Sequence, residues 1–472
     1  MADLPNILFI LAGRLRASSL PMYGERQIET PGLERLADDA VAFTHAIATC
    51  PASAPFRSML LTGRHPQTTG HLVNFVRARH DEIGLGDVLA RAGYRTGWVG
   101  AWHLHTGSFP SLTGPDYVPE GRDRMGFDYW RGYNFHTKYF NGWVNVEDWR
   151  NEAWDGHETQ GLLGHAAAFM DQPDSRPFCL FVSPHQPYPT TQGPFAPEAC
   201  YEAVPAEPAL PANAADAAPD DPARPAAIRE AYRHYLAMIL ALDGMVGGLL
   251  DHLERTDRLA STLMVLTSDH GAPMGAHGAG PWDEGLPYEE SVRVPLLVRW
   301  AGVMDGGGRR GPLIAPVDIF PSLCGLLGLR APRTVEGHNL VDAWRGVPGA
   351  FEQEAVLTMN FSGDPAYLVD GGEWRGARTR QHSFIQWRQG RAELYDLAKD
   401  PLQRKNLADA PALADVRARL ERRMASFMNR LGDDLAPGSS YKAWFDSQRR
   451  VVRNTRGAMP NPEGHPDWSQ FA

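Results

Sequence analysis

Residues 6–16 read NILFILAGRLR, and the two that invite chemistry are Gly13 and Arg14. The apolar run before them has the texture of a parallel strand buried on both faces. In an α/β sheet such a strand hands its last residues to the carboxyl edge, where these folds build their sites. Here it hands over a residue without a side chain and a permanent cation. A guanidinium is a planar fork of donors suited to a carboxylate or an oxyanion. Arg14 therefore asks for a negative partner, from the protein or from a ligand. Other reactive side chains form no self-evident pattern. The 17 histidines are scattered, and the four cysteines, Cys50, Cys179, Cys200 and Cys324, make no CxxC pair. Neither a zinc knuckle nor a redox motif is legible, and Cys179 in FCLFV reads as a buried thiol.

The elements that must position such a site are strand-like runs with helical patterns between them. The runs are NILFIL, TGWVG, FCLFV, TLMVLTS and VPLLVRW. Thr30-Pro31 opens one helix, with Thr as cap and Pro at the first helical position. Another helix runs from Ile228 to Leu253. The alternation predicts an α/β domain over residues 1–345, a large and mostly parallel sheet sandwiched by helices. Beyond it, the short runs AVLTM, AYLVD and HSFIQW and an amphipathic helix over 409–431 predict a small α+β subdomain, 346–436. Residues 437–472 are polar and read as an arm, docked or loose. Residues 202–225, rich in Pro and Ala, read as an exposed loop. Residues 108–155 carry Trp130, Tyr133, Phe135, Tyr139, Phe140, Trp143, Trp149 and Trp154. They wall a pocket or form an aromatic mini-core under a long loop.

The chain has 472 residues, 43% hydrophobic and 22% charged, enough for a sizeable core in one large and one small unit. Its formal charge of −10 argues against a nucleic-acid or anionic-membrane surface. The first apolar run is too short for a signal-peptide core or a membrane span, and no basic segment precedes it. The expected location is the cytoplasm.

Residues 53–64, SAPFRSMLLTGR, resemble the signature of the sulfatase family within the alkaline phosphatase superfamily: Cys or Ser, any residue, Pro, any residue, Arg, then a helix reading LLTGR. PNILFILA, TPGLERLADDAVAFTHA, GYRTGWVGAWHL, YRHYLAMILALDGMVGGLLDHLE, TSDHG, PYEESVRVPLLVRW and AELYDLAKDPLQRKNLAD resemble that family in the same order, over about residues 1–435. The resemblance implies a formylglycine nucleophile made from Ser53, with Arg57 holding it. Cys50 is not its counterpart, because no Arg lies four residues after it. The resemblance also implies a divalent cation, usually calcium, bound by two aspartates at the end of the first strand and by a later pair. The later pair is present as Asp269 and His270. The first pair falls on Gly13 and Arg14. Two lysines that grip sulfate fall on Ala101, in GAWH, and on Glu284, in PWDEGLPYEES. His103 resembles the histidine that orients the nucleophile, and His185, in SPHQPY, the one that contacts the leaving oxygen.

Four charged positions are thus altered together. Unit charges about 4 Å apart interact by about 4 kcal/mol at an effective dielectric near 20. A divalent ion beside Arg14 faces roughly twice that repulsion, with fewer ligands to offset it. The expectation is therefore no calcium site and no formylglycine at Ser53. Ser53 should stand at the mouth of a pocket lined by Arg57, His103 and His185. Arg14, Glu284 and Trp102 should face the substrate. Gly13 should leave space beside the strand, and the Arg14 guanidinium should pair with Asp269 in place of the metal. The expected function is a pseudoenzyme that binds a small anionic ligand or a partner, the partner being a second copy or an active paralogue. The alternatives are a repurposed metal-independent enzyme using Ser53, Arg57, His103 and His185, and an active sulfuric- or phosphoric-ester hydrolase with an atypical site.

Overall fold

From Ile7 onward every residue of the first strand, β1 (Asn6–Ala12), is buried, because both of its faces are covered. Leu8, Ile10 and Ala12 join one apolar cluster; Ile7, Phe9 and Leu11 join another. This is the two-residue period of a strand read in three dimensions. The computed structural model describes residues 4–106, 117–146, 150–189, 193–215, 223–304 and 306–471. On the first face lie the helices Pro31–Asp39, Glu158–Met170 and Arg224–Arg255; on the second lie Ser53–Thr62, Leu85–Arg91 and Pro316–Leu326. The Arg224–Arg255 helix is long and apolar enough to cross a membrane, yet 72% of its most apolar window is buried inside the protein.

Nine further strands complete the sheet: β2 (Val41–Ile47), β3 (Arg95–Ala101), β4 (Tyr129–Tyr133), β5 (Trp143–Asn145), β6 (Asn151–Ala153), β7 (Phe178–Ser183), β8 (Thr262–Ser268), β9 (Arg293–Arg299) and β10 (Arg309–Ile314). Their order is β10-β2-β9-β8-β1-β7-β3-β4-β5-β6. The central five, β8-β1-β7-β3-β4, are parallel throughout. Their carboxyl ends consequently line up, and the segments that follow them share one edge of the sheet.

A second sheet is antiparallel, in the order β11 (Val356–Asn360), β12 (Trp374–Arg378), β13 (His382–Trp387) and β14 (Ala392–Asp396), and the helix Ala414–Leu431 packs on it. AYLVD, expected as a strand, is a turn instead. Asp364 accepts the N–H groups of Ala366 and Tyr367, and Ser362 accepts that of Val369, so local side chains take the donors that a ladder needs. One apolar cluster joins this sheet to the first unit: Leu357, Phe384 and Met424 pack with Met59, Leu72 and Val76. The residues after 437 are docked. Val451 is buried, Arg79 donates to the Val451 and Met459 carbonyls at 2.8 and 3.0 Å, and Asn454 donates to the Thr68 carbonyl at 2.8 Å.

The tie of β12 to the end of the last long helix is a buried ion pair. Arg375 donates to both Asp433 oxygens, at 2.6 and 3.0 Å, and Gln67 adds a third bond at 2.7 Å. Removing one partner leaves an uncompensated buried charge. Arg375→Ala and Asp433→Ala should each cost roughly 3–5 kcal/mol in urea unfolding. The double variant should cost clearly less than the sum.

Candidate functional site

The loops after β8, β1, β7 and β3 bring Asp269 and His270, Gly13 and Arg14, His185, and His103 to the shared edge. Two of these residues, Arg14 (φ 57°) and His103 (φ 62°), stand in the left-handed region that side-chain-bearing residues rarely adopt. Tertiary bonds hold them there. The Arg14 N–H donates to Asp269 Oδ1 at 2.9 Å, and its carbonyl accepts from the Tyr235 hydroxyl at 2.7 Å. The His103 N–H donates to the Asn134 carbonyl at 3.0 Å.

The Arg14 guanidinium does not pair with Asp269, contrary to the expectation from sequence. It makes a buried ion pair with Glu284, donates to the Trp282 carbonyl, and lies 4.1 Å over the Tyr188 ring. Only the Arg14 backbone reaches Asp269. The other oxygen of Glu284 accepts from Asn74 Nδ2 at 3.1 Å, and Asn74 Oδ1 accepts the Ala54 N–H at 2.9 Å. That last bond has a local cause: Ala52, which precedes the Ser53–Thr62 helix, offers no capping side chain. An unmet N–H of the first turn is satisfied from another loop.

Arg57 is the cation that Asp269 receives. Its Nη2 lies 3.5 Å from Asp269 Oδ2, while Nη1 donates to the Ala101 carbonyl and to Ser183 Oγ, both at 2.8 Å. Burial disfavours the charged form of Asp269, but His270, Arg57, the Arg14 N–H and the Ser53 hydroxyl together hold its carboxyl below its ordinary value. Burial pushes the Arg57 guanidinium down, and Asp269 offsets this only in part. Ser53 Oγ lies 3.5 Å from His270 Nε2. His270 Nδ1 lies 2.8 Å from the Gly271 carbonyl, which can only accept, so Nδ1 carries a proton and Nε2 faces the serine.

The two other histidines pair with each other. His103 Nε2 and His185 Nε2 are 2.7 Å apart. Burial drives both rings to the neutral form, with Arg57 adding to the effect in each case. One N–H therefore donates to the other's lone pair. Behind them Tyr133 Oη is 3.4 Å from His185 Nδ1 and donates to Glu158, whose second oxygen accepts from Gln186 at 2.8 Å. The aromatic insert supplies this surround. Phe135 meets both histidines edge to face, at 4.8 and 5.0 Å, and Trp143 and Trp154 flank His136. Trp149 lies outside the described residues.

Three further expectations are corrected. Trp102 does not face the site: it is buried against Trp98 and Trp130, at 4.7 and 5.4 Å between ring centres. Ser53 is not at a mouth; only 2% of its surface is exposed. Gly13 does not leave a space, since a Cβ there would stand 2.6 Å from the His185 carbonyl oxygen. The backbone has closed onto the position where the resemblance places an aspartate. Asn74, Tyr188 and Glu158 escaped the sequence reading, because each joins the site through a distant loop or strand, whereas Tyr133 was named only as part of the aromatic insert. Tyr188 alone carried a signal, three residues after His185.

A calcium ion needs six to eight oxygen ligands, and the described residues of this edge do not provide them. The Asp269 oxygens are occupied by the Arg14 and His270 N–H groups and by Arg57. Among the described residues no group of three or more His, Cys, Asp or Glu could hold a metal ion.

The family model described as Sulfatase matches residues 5–329, and the one described as N-sulphoglucosamine sulphohydrolase, C-terminal, matches residues 275–430. An ulvan-active sulfatase of Formosa agariphila is 29% identical over 453 residues, covering 93% of this chain and 83% of that protein. Among solved structures, one holding its substrate D-glucosamine-2-N,6-O-disulfate superposes with a TM-score of 0.79 at 21% identity, over 92% of this chain and 99% of that one. A phosphonate monoester hydrolase from Silicibacter pomeroyi superposes with a TM-score of 0.72 at 20% identity, over 91% and 96%.

Burial raises the Glu158 carboxyl from 4.5 to about 7, against the bonds from Tyr133 and Gln186. The unfolded chain loses this proton near pH 4.5 and the folded chain keeps it to about 7, so this group's contribution to stability falls as pH rises between those values. Glu158→Gln removes the slope. Its advantage over the parent should grow across that window, to on the order of 3 kcal/mol above pH 7. Thermal melts at several pH values check this.

Proposed function

Since the chain belongs to the sulfatase family, whose model spans residues 5–329, we propose that it has left metal-dependent sulfate-ester hydrolysis and serves as a binding protein built on that fold. The observation that carries this reading is the charge balance of the site. Arg14 has Glu284 and Arg57 has Asp269. The histidine pair is neutral, and position 101 is an alanine. A sulfate group arriving here meets two cations that are already neutralised. Charge developing on a departing sulfate would meet only the Nε–H groups of Arg14 and Arg57, on cations whose charge a carboxylate already balances. The ligand this site favours is a small anion able to take the place of Glu284 on Arg14.

A second reading keeps one observation in its favour. The proton on His270 Nδ1 leaves Nε2 aimed at Ser53. That is the arrangement a metal-independent enzyme would need to activate a serine hydroxyl. Its turnover would depend on Ser53 without depending on added metal.

Metal analysis and peptide mass spectrometry test the first reading. Purified protein should carry no stoichiometric calcium, and the peptide containing residue 53 should have the mass of unmodified serine. It should hydrolyse aryl sulfates no faster than Ser53→Ala. Clear turnover that this substitution abolishes overturns the proposal. The Gly13→Asp, Arg14→Asp double variant should not gain tight calcium binding, because a side chain at 13 collides with the His185 carbonyl. Arg14→Ala leaves Glu284 buried and unpaired, and should cost roughly 3–5 kcal/mol in chemical unfolding.

A further inference from the structure

The opposite edge of the same sheet holds a cavity of about 900 Å³. It lies at the amino ends of β1, β3 and β7, marked by Asn6, Arg95 and Phe178. Strands of seven residues put it about 20 Å from the residues described above. Its size is that of sites which enclose a drug-sized molecule.

The lining is unbalanced in charge. Among the described residues, Arg95, Arg176 and Arg258 face it with a single carboxylate, Asp174. Asp174 is engaged by Arg176 at 2.7 Å and stands 3.8 Å from Arg95 Nε, beyond hydrogen-bonding range. The Arg95 side chain is more than nine-tenths buried, and its Nε has no hydrogen-bond partner. Burial lowers the Arg95 guanidinium from its ordinary value; Asp174 opposes this, and the cations of Arg176 and Arg258 add to it. A buried donor without an acceptor, among cations outnumbering acids three to one, is a cost that an anion would remove. Leu4, Phe178 and Leu329 give the wall an apolar part, beside the polar Asn6, Ser175 and Ser261.

We propose that this cavity binds an organic anion, with its charged head on Arg95, Arg176 and Arg258 and its apolar body against Leu4, Phe178 and Leu329. Charge alone does not suffice, since inorganic phosphate would leave the apolar wall wet. Apolar area alone does not suffice either, since a neutral ligand leaves Arg95 Nε without an acceptor, while its Nη1 already donates to Gln172 Oε1 at 3.1 Å.

Two dyes that share a ring system separate these contributions. The probe is 8-anilinonaphthalene-1-sulfonate, and its control is N-phenyl-1-naphthylamine, which lacks the sulfonate. The full-length protein should bind the sulfonate one to one, as read by fluorescence titration. Decanoate should displace it, and inorganic phosphate should not. Arg95→Gln and Arg258→Gln should each weaken binding at least tenfold, and N-phenyl-1-naphthylamine should bind at least tenfold more weakly than the sulfonate. Arg176→Gln, at a side chain that is 60% exposed, should weaken the sulfonate with an unchanged melting curve, which guards against a folding defect. Equal affinity for the two dyes, or binding that all three substitutions leave intact, overturns the proposal.

Discussion

A guanidinium taken out of water must keep an anion beside it, and at Arg14 that requirement organises the whole carboxyl edge. The side chain is buried, so the desolvation of its charge has to be offset by close partners. Glu284 supplies the charge, the Trp282 carbonyl a further acceptor, and Tyr188 a ring face. Glu284 and Trp282 come from one loop and Tyr188 from another. Asn74 extends the chain of bonds to the first turn of the Ser53 helix. The loop after β7, the loops around 74 and 284, and the start of that helix are thereby fixed to one cation at the end of β1.

The same requirement explains why Asp269 and Arg57 face each other. Asp269 lies one strand from Arg14, but the left-handed backbone at Arg14 presents the N–H to it and sends the guanidinium elsewhere. The carboxylate then needs another cation, and Arg57 is the one within reach. Two pairs result, each nearly neutral. In a low dielectric this is the arrangement that costs least without a ligand. A site meant to receive an anion carries uncompensated donors and accepts their cost until the ligand arrives. Gly13 fits the closed arrangement, because the His185 carbonyl occupies the volume that a longer side chain would take.

Much of this could be read from sequence, and the failures have identifiable causes. The unbroken apolar run of β1 and the strand–helix alternation sufficed for a parallel sheet, because burial on both faces leaves a compositional trace. The ordered motifs placed Ser53, Arg57, His103, His185 and Asp269 on one edge. The partner of Arg14 was not legible: residue type allows either carboxylate, and the choice is made by a backbone angle at a single residue. Trp102 was misplaced although the sequence held the clue. It lies four residues after Trp98, the same side of a two-residue period, and both belong to one apolar cluster. AYLVD has strand-like composition, but Ser362 and Asp364 just before it capture its donors. Glu158 and Tyr133 meet across 25 residues, a separation that carries no local signal.

The two edges of the sheet answer one electrostatic problem differently. At the carboxyl edge Arg14 and Arg57 are sealed from water, and each has a protein carboxylate beside it. At the amino edge Arg176 and Arg258 keep contact with solvent around a cavity, so hydration can carry part of the charge and fewer acids are required. A fully paired cation has little left to offer an incoming anion, whereas a hydrated or unpartnered one exchanges water for ligand at small cost. An anion at the carboxyl edge has therefore to displace Glu284 from Arg14, whereas at the amino ends of β1, β3 and β7 it has mainly water to displace around Arg95, Arg176 and Arg258.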